Sequence, residues 1–191
     1  AVVLLSALFF TAFGISNWRI LAIFWALIPI VNAIFFTQVP IYSLQEEGEK
    51  GLTLKELCRN KVFWLMMIMM VCSGASEQAV SQWASTFAEQ GLGVSKTVGD
   101  LAGPLAFAAL MGTSRLLYGK LGDKLNLNKC MFFSACLCVI SYLCIALILV
   151  PAIGLIGCAL CGFSVGVLWP GTFSKSSAAI KRGGTVMFAM L

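Results

Sequence analysis

The sequence predicts an all-α protein that crosses a membrane several times, and three observations support this prediction. Of the 191 residues, 60% are hydrophobic and only 11% are charged, which is too few charged residues to cover the surface of a water-soluble domain. Two charge-free runs, 130–150 and 152–174, each reach the roughly 20 residues that a spanning helix needs. In addition, eleven of the 13 lysines and arginines lie at alternate connections between the apolar stretches.

Apolar stretches and turn residues together define seven predicted membrane segments. The segments are 1–13, 20–42, 62–88, 95–120, 130–150, 152–174 and a last helix that begins after residue 184. Gly14 ends the first segment, and Pro29 and Pro40 are expected to kink the second. Ser95 is a suitable N-cap for the fourth segment, and Pro151 separates the two charge-free runs. Because the sequence starts and stops inside apolar runs, we expect it to be a piece of a longer chain.

The positions of the basic residues predict which connections face the cytoplasm. Eleven of the 13 basic residues lie in or next to three connections, 43–61, 119–129 and 175–184. The opposite side holds only Arg19 and Lys96. Because basic residues accumulate in cytoplasmic loops, these three connections are predicted to be cytoplasmic in a multi-pass protein of the plasma membrane. Arg115, near the cytoplasmic end of its helix, is expected to anchor that end at the membrane surface.

Composition also argues against several functional classes. The net charge of +5 comes without a basic stripe interleaved with aromatic residues, so no nucleic-acid partner is expected. Most of the eight cysteines lie inside apolar runs and the sequence has no histidine, which predicts packing thiols and neither a metal site nor a cofactor. Cys158 and Cys161 have the spacing of a redox motif but lack its βαβ context. No nucleophile with a matching base can be assembled, so the protein is not expected to be an enzyme.

Small residues recur every four positions along the sixth segment. Gly154, Cys158, Gly162 and Gly166 therefore share one face of that helix. Small residues at this spacing let helix backbones approach closely in lipid. We expect this face to pack tightly against a neighbouring helix.

Glu77 is the most informative single residue in the sequence. No other charge lies between Lys61 and Glu89, so its carboxylate is expected inside the hydrocarbon or in a cavity. An intramembrane carboxylate is costly and marks a cavity, an ion path or a charged partner. Desolvation favours the neutral form of a carboxylate, which predicts proton binding and release at this position. The alternative is a hydrogen-bonded carboxyl group that ties two helices together.

Polar side chains around Glu77 predict a path for a solute. The stripe consists of Ser73, Glu77, Gln78, Ser81, Gln82 and Trp83. Lipid rejects such a stripe, so it must face protein or water, and its hydroxyls and amides suit a polyol. Contacts between helices through glutamine would give the same pattern. Asn32, together with Trp169 and Thr172 beside the expected kink at Pro170, is a further candidate for lining the path.

The connection after the fourth segment carries a recognisable motif. Gly119, Asp123 and Lys124 follow the spacing Gly-x-x-x-Asp-Lys between two spans, and Asp123 is placed to cap the next helix. This loop resembles the signature loop of the major facilitator superfamily, which occurs there after the second helix and, in weaker form, after the eighth. The resemblance implies that these three residues have a gating role and do not bind the solute. In place of the family's further basic residues, this sequence continues with the mostly neutral stretch 125–129.

Placing this loop after helix eight of the family fits the whole sequence onto a partial major facilitator fold, from helix five into helix eleven. Residues 1–42 then end the first helix bundle, 43–61 form the cytoplasmic linker, and 62–191 form most of the second bundle. The resemblance implies a secondary transporter that moves a small polar solute together with protons by alternating access. Its expected partners are the solute, protons, membrane lipid and the missing first half of the same polypeptide.

A narrower resemblance favours a sugar as the solute. Gly74-Ala75-Ser76-Glu77 is similar to the Gly-Ala-Glu stretch of fucose-permease-type sugar/proton symporters, with one extra residue. Two alternatives stay open, namely a major-facilitator exporter of drugs or other metabolites, and a receptor or sensor that binds a solute without transporting it.

Overall fold

The computed structural model describes residues 2–40, 51–148 and 150–191. Among these residues there are helices and connections and no strand, which confirms the all-α prediction. The helices are α1 (Val2–Phe13), α2 (Trp18–Phe36), α3 (Leu54–Arg59), α4 (Lys61–Thr86), α5 (Lys96–Asp100), α6 (Ala106–Leu121), α7 (Leu127–Leu147), α8 (Pro151–Ala179) and α9 (Gly184–Met190). The described residues also contain two π-helical turns. Phe87–Gly91 extends α4, and Leu101–Leu105 joins α5 to α6.

Four helical stretches in the described part are long and apolar enough to cross a membrane. They are Ile15–Phe36, Lys61–Gly91, Leu127–Leu147 and Pro151–Ala179. Large apolar side chains stay exposed along α2, α4 and α7, and apolar surface on this scale is not stable in water. The prediction of an integral multi-pass membrane protein is therefore confirmed.

The predicted segment 95–120 is helical but not uniform. It begins at Lys96, directly after Ser95, and its α-helical hydrogen bonding is interrupted around Pro104 by the π-helical turn. Proline lacks the backbone N–H that would donate within the α-helix, and a π-helical turn accommodates the missing hydrogen bond. The span therefore consists of α5 and α6 in sequence.

Two local predictions are wrong. α2 ends at Phe36, so Pro40 lies beyond the helix and kinks nothing. α7 is capped by Asn126, whose Oδ1 accepts the backbone N–H of Lys129 at 3.2 Å, and not by Asp123. Asn126 directly precedes the first helical residue, from which a short side chain reaches the free N–H groups of the first turn. Asp123 instead falls in a 3₁₀ turn further from the helix.

The predicted turn at 175–184 is largely helical. α8 continues to Ala179, so Lys175 is a helical residue and only a short connection precedes Gly184. The hydroxyl of Ser176 donates to the carbonyl oxygen four residues earlier at 2.7 Å, and a lysine near a helix end can extend its charge to the membrane surface. The polar residues from Lys175 onward therefore do not end the helix.

The chain divides into two compact units, Ala1–Glu49 and Lys50–Leu191. Residues 41–50, which include the start of the predicted linker, lie outside the described residues, and the predicted division at residues 42 and 61 stays a prediction. In the first unit, Gly14 separates α1 from the next helix with a φ of 78°. This backbone conformation is one that glycine adopts without strain.

In the second unit, α8 is the central helix and packs against α4, α6 and α7. The buried residues where these helices meet are Val80, Ala84, Phe107, Cys138, Cys158, Cys161 and Val165. Three of the cysteines are thus core residues, as the sequence predicts. All cysteines in the described residues are free thiols.

The small residues of α8 bring this helix against the backbone of α6. A Cβ atom at Gly162 would overlap the carbonyl oxygen of Phe107. A Cβ atom at Gly166 would lie 2.8 Å from the Cβ of Ser114 and 2.9 Å from the carbonyl oxygen of Met111. The prediction of close packing along this face is confirmed, because the neighbouring backbone fills the space that a side chain would need.

The helix α3 in the predicted linker is docked on the second unit. Leu57 is completely buried and packs in a cluster with Phe63, Ile180 and Met187. The backbone N–H of Leu52 also donates to the carbonyl oxygen of Arg182, in the connection between α8 and α9, at 2.9 Å. The apolar side chains of Leu52 and Leu57 and a backbone hydrogen bond thus hold this part of the predicted linker in place.

A capping box at its N-terminus stabilises α3. The backbone N–H of Thr53 donates to the carboxylate of Glu56 at 2.9 Å, and the Thr53 hydroxyl accepts the backbone N–H of Glu56. The hydrogen bonds from the Thr53 backbone and then its side chain lower the pKa of Glu56. Because this pKa is lowered on folding, the cap is fully present at neutral pH and is lost only as the pH falls through the lowered value.

We predict that Gly162→Ala destabilises the protein, because the new methyl group collides with rigid backbone on α6. Overpacking of this kind costs about 1–3 kcal/mol, and thermal unfolding in detergent should show a lower Tm. Gly112→Ala is the matched control, since no atom lies within 4 Å of its new Cβ. An unchanged Tm for Gly162→Ala would contradict the packing described above.

We predict that Leu57→Ala undocks α3 and exposes the linker to protease. A buried Leu→Ala change costs about 2–5 kcal/mol, so the undocked fraction should rise at least about tenfold. The readout is the rate of tryptic cleavage after Lys55 and Arg59, measured by mass spectrometry. Leu54→Ala, at an exposed position of the same helix, should leave that rate unchanged, and equal rates in the two variants would refute the docking.

Candidate functional site

Glu77 lies near the middle of a long membrane-length stretch. The stretch Lys61–Gly91 comprises 31 residues, and at about 1.5 Å per residue Glu77 stands about 24 Å from its first residue. Both ends of a helix of this length reach beyond a hydrocarbon core of about 30 Å. The carboxylate is therefore near the midpoint of this helical stretch.

The partner of Glu77 is Arg115 of α6. The guanidinium Nη2 donates to the Glu77 Oε2 at 3.2 Å, and the two side chains are 43% and 20% exposed for arginine and glutamate respectively. Glu77 also falls between Ser73 and Val80 on the face of α4 that packs inward. The ion pair thus lies at the edge of the contact between α4 and α6, and its arginine is more exposed than its glutamate.

This contact corrects the expected role of Arg115. The sequence predicts an anchor at the membrane surface, whereas the guanidinium is directed at a carboxylate in the neighbouring span. A signal was present, because Glu77 and Arg115 are opposite charges within consecutive apolar segments, and charges in membrane spans pair with one another. Removing one partner of a buried pair costs about 3–5 kcal/mol, and the exposure of Arg115 lowers that cost here.

Several hydroxyl groups lie on the same turns as this pair. Ser73 and Ser114 are buried, and their Oγ atoms have no hydrogen-bond partner among the described residues. The Tyr142 hydroxyl of α7 donates to the backbone carbonyl of Ser76, one residue before Glu77, at 2.9 Å. The middle of α4 is thus its most polar part and is fixed from two neighbouring helices.

The predicted polar stripe divides between two faces of α4. Ser73 is buried and Glu77 lies on the same packed face, whereas Gln78, Gln82 and Trp83 are exposed. The Gln82 Nε2 donates to the Gln78 Oε1 at 3.1 Å. The two amides therefore occupy an exposed face together, next to the ion pair in sequence.

That exposed face changes character along the helix. In the half of α4 before Glu77 the exposed side chains are apolar and include Trp64, Leu65, Ile68 and Val71, which are all half or more exposed. Beyond the midpoint the glutamines replace these apolar side chains. Ser81 lies at the border, partly buried, and donates to the Gln78 carbonyl oxygen at 3.3 Å.

The remaining predicted path residues lie on α2 and α8. Asn32 is exposed in the first unit. Trp169 is exposed on α8 and its ring lies 4.6 Å from that of Phe173. Thr172 is buried and donates to the carbonyl oxygen four residues earlier, so its hydroxyl stays within its own helix.

The predicted gating loop forms a compact turn. Gly119 is exposed within α6, and Lys124 is exposed in the 3₁₀ turn Gly122–Lys124. The side chain of Asp123 lies outside the described part of the structure. Nearby, the Tyr118 hydroxyl donates to the Ser174 Oγ of α8 at 3.2 Å, which links α6 to α8 close to this loop.

Another polar contact joins the end of α4 to α5. The Ser85 hydroxyl of α4 donates to the Asp100 carboxylate of α5. Within the described residues, no three of the His, Cys, Asp and Glu side chains cluster closely enough to hold a metal ion. The polar groups that the structure brings together here are the Glu77–Arg115 ion pair and the hydroxyl groups around it.

The chain was compared with known proteins. No curated protein and no solved structure matches it significantly. The family model described as Major Facilitator Superfamily matches residues 1–191, the entire sequence. With its all-helical fold and its membrane-length apolar helices, the chain belongs to the major facilitator superfamily.

Proposed function

We propose that this membrane transporter is a secondary active transporter that moves a small polar solute, a sugar or a related metabolite, together with protons. Transport proceeds by alternating access, with the site near the membrane midplane. The observation that carries the proposal is the Glu77–Arg115 ion pair halfway along a spanning helix. Its surroundings supply the hydrogen-bonding groups that a polar solute requires.

Proton coupling is supported by the position of Glu77. A carboxylate in the middle of a span is a candidate proton carrier, and Arg115 stabilises its ionised form. Arg115 itself cannot be deprotonated in a protein. We therefore assign the proton-coupling role to Glu77.

Solute binding is supported by the exposed amides of α4. Gln78 and Gln82 each offer donors and an acceptor, and hydrocarbon cannot satisfy them. We place this part of the helix against a water-filled passage, with Trp83 as a flat apolar surface for the less polar side of a sugar ring. Asn32 and Trp169 belong to the proposal as further lining residues.

The orientation and the gate also belong to the proposal. We place the loops 43–61, 119–129 and 175–184 on the cytoplasmic side of the plasma membrane, because they carry most of the basic residues. Gly119, Asp123 and Lys124 then form a cytoplasmic gate. The bond from Tyr118 to α8 supports a fixed position for the helix end that carries this loop.

The test is transport by the full-length protein in proteoliposomes. We expect uptake of at least one solute from a panel of sugars, polyols and their derivatives, driven by an inward proton gradient. Absence of uptake and of exchange across the panel would refute the proposal. Binding without flux would instead show a receptor or sensor, and outward pumping of the same solutes would show an exporter.

We predict that Glu77→Gln abolishes accumulation driven by a proton gradient but leaves solute exchange intact, because the amide keeps the shape of the carboxyl group and cannot carry a proton. The measurement compares gradient-driven uptake with counterflow in the same vesicles. Glu89→Gln, the same change at an exposed position beyond α4, is the control and should accumulate solute normally. Normal accumulation by Glu77→Gln would remove this residue from the coupling mechanism.

We predict that Gln82→Leu raises the KM for the transported solute on the order of tenfold, as expected for the loss of one hydrogen bond of about 1.5 kcal/mol. Initial uptake rates over a range of solute concentrations provide the measurement. Gln90→Leu makes the same replacement at the exposed end of the helical stretch and should not change the KM. If the two variants behave alike, the amides of α4 do not contact the solute.

A further inference from the structure

We propose that the transported solute carries a carboxylate, and that Arg115 binds it when a proton on Glu77 releases the guanidinium. The solute class is then a sugar acid or a similar hydroxylated organic acid, and not a neutral sugar. This inference rests on the proposed function and specifies its substrate.

Arg115 has binding capacity that the ion pair does not use. Its guanidinium has five N–H donors, and among the described residues Glu77 is the only hydrogen-bond partner of its side chain, through a single contact at 3.2 Å. The arginine is also about twice as exposed as the glutamate. An open guanidinium with spare donors matches a carboxylate, which arginine binds through two parallel hydrogen bonds.

Charge balance links the proton to the anion. When Glu77 takes up a proton, its carboxylate becomes neutral and Arg115 remains as an unpaired cation in the middle of a span. An unpaired charge at this depth is costly, and a solute carboxylate at the guanidinium removes the cost. Proton uptake and anion binding therefore favour each other, and by thermodynamic linkage each strengthens the other equally. A neutral sugar would leave the cation unpaired.

No other charged contact in the described residues competes for this role. Of the helices around α4, α5 carries Lys96 and Asp100, with Asp100 held by Ser85 at the far end of the span. Lys120 of α6 and Lys175 of α8 lie near the cytoplasmic ends of their helices. The other titratable groups packed near the pair are the Tyr142 hydroxyl, which donates to a backbone carbonyl, and the buried thiols of Cys138, Cys158 and Cys161. Tyr118 of α6 bonds Ser174.

The neighbouring amides explain why the acid should be hydroxylated. Gln78 directly follows Glu77 in the chain and shares a hydrogen bond with Gln82. A hydroxylated acid could bind Arg115 through its carboxylate and the amides of Gln78 and Gln82 through its hydroxyl groups. A simple aliphatic acid would leave the amides unpaired, which costs affinity.

The experiment compares matched acid and neutral probes on the full-length protein. The pairs are D-glucuronate with D-glucose, D-galacturonate with D-galactose, and D-gluconate with D-glucitol. Binding to purified protein and uptake into proteoliposomes are measured between about pH 5 and about pH 8. We expect at least one acid to be preferred over its neutral partner, and its affinity to fall about 5- to 150-fold as the pH rises.

Two variants separate the roles of the two side chains. Glu77→Gln fixes the neutral form, so it should bind the acid with an affinity that no longer depends on pH. The double variant Glu77→Gln/Arg115→Gln removes both charges together, which avoids an unpaired arginine, and should lose the preference for the acid while remaining folded by its Tm. Lys120→Gln, which removes a positive charge at the exposed end of α6, is the control and should keep that preference.

The outcomes distinguish this inference from the proposed function. Proton-driven uptake of the neutral probes, with no preference for the acids, would overturn the inference and leave the proposed function standing. A preference for the acids that survives in the double variant would also overturn it, because Arg115 would then not be the recognition group. Absence of binding and transport for every probe would overturn both.

Discussion

The close approach of α8 to its neighbours is the constraint on which the rest of the second unit depends. In lipid, helices gain little from hiding apolar surface, so contact and backbone proximity must hold them together. Gly162 and Gly166 let the α6 backbone lie directly on α8, and the inward face of α4 packs on the same helix. Arg115 follows Ser114, the residue that contacts Gly166, while Glu77 lies on the inward face of α4. Both charges are therefore positioned by a third helix.

Hydrocarbon makes such positioning necessary. A carboxylate or a guanidinium alone at the midpoint of a span would be strongly destabilising, whereas the two together at 3.2 Å form a neutral unit. The same reasoning applies to Ser85 and Asp100. These two contacts each stabilise a charged side chain of one helix with a polar side chain of another. Gln78 and Gln82 instead pair with each other on an exposed face of α4.

The helical segments could be predicted from the sequence because a long run of apolar residues indicates a membrane-spanning helix whatever other helices it packs against. The close packing of α8 could also be predicted, since four small residues at one spacing define a face without reference to the partner. The pairing of Arg115 with Glu77 could not be derived from either helix alone, because it depends on which spans meet. The burial of Leu57 was missed for the same reason, since its partners Ile180 and Met187 lie more than 100 residues away in the chain. The helix end at Ala179 was missed because lysine and serine are compatible with helix at a membrane surface.

The linker contributes to the site through α4. Residues 51–60 are not a free tether, because Leu57 is buried against the second unit and Asn60 caps α4 with its side chain. Phe63, in the first turn of α4, belongs to the same buried cluster as Leu57. The segment before α4 thus holds in place the first turn of the helix that carries Glu77, and with it one side of the ion pair to Arg115.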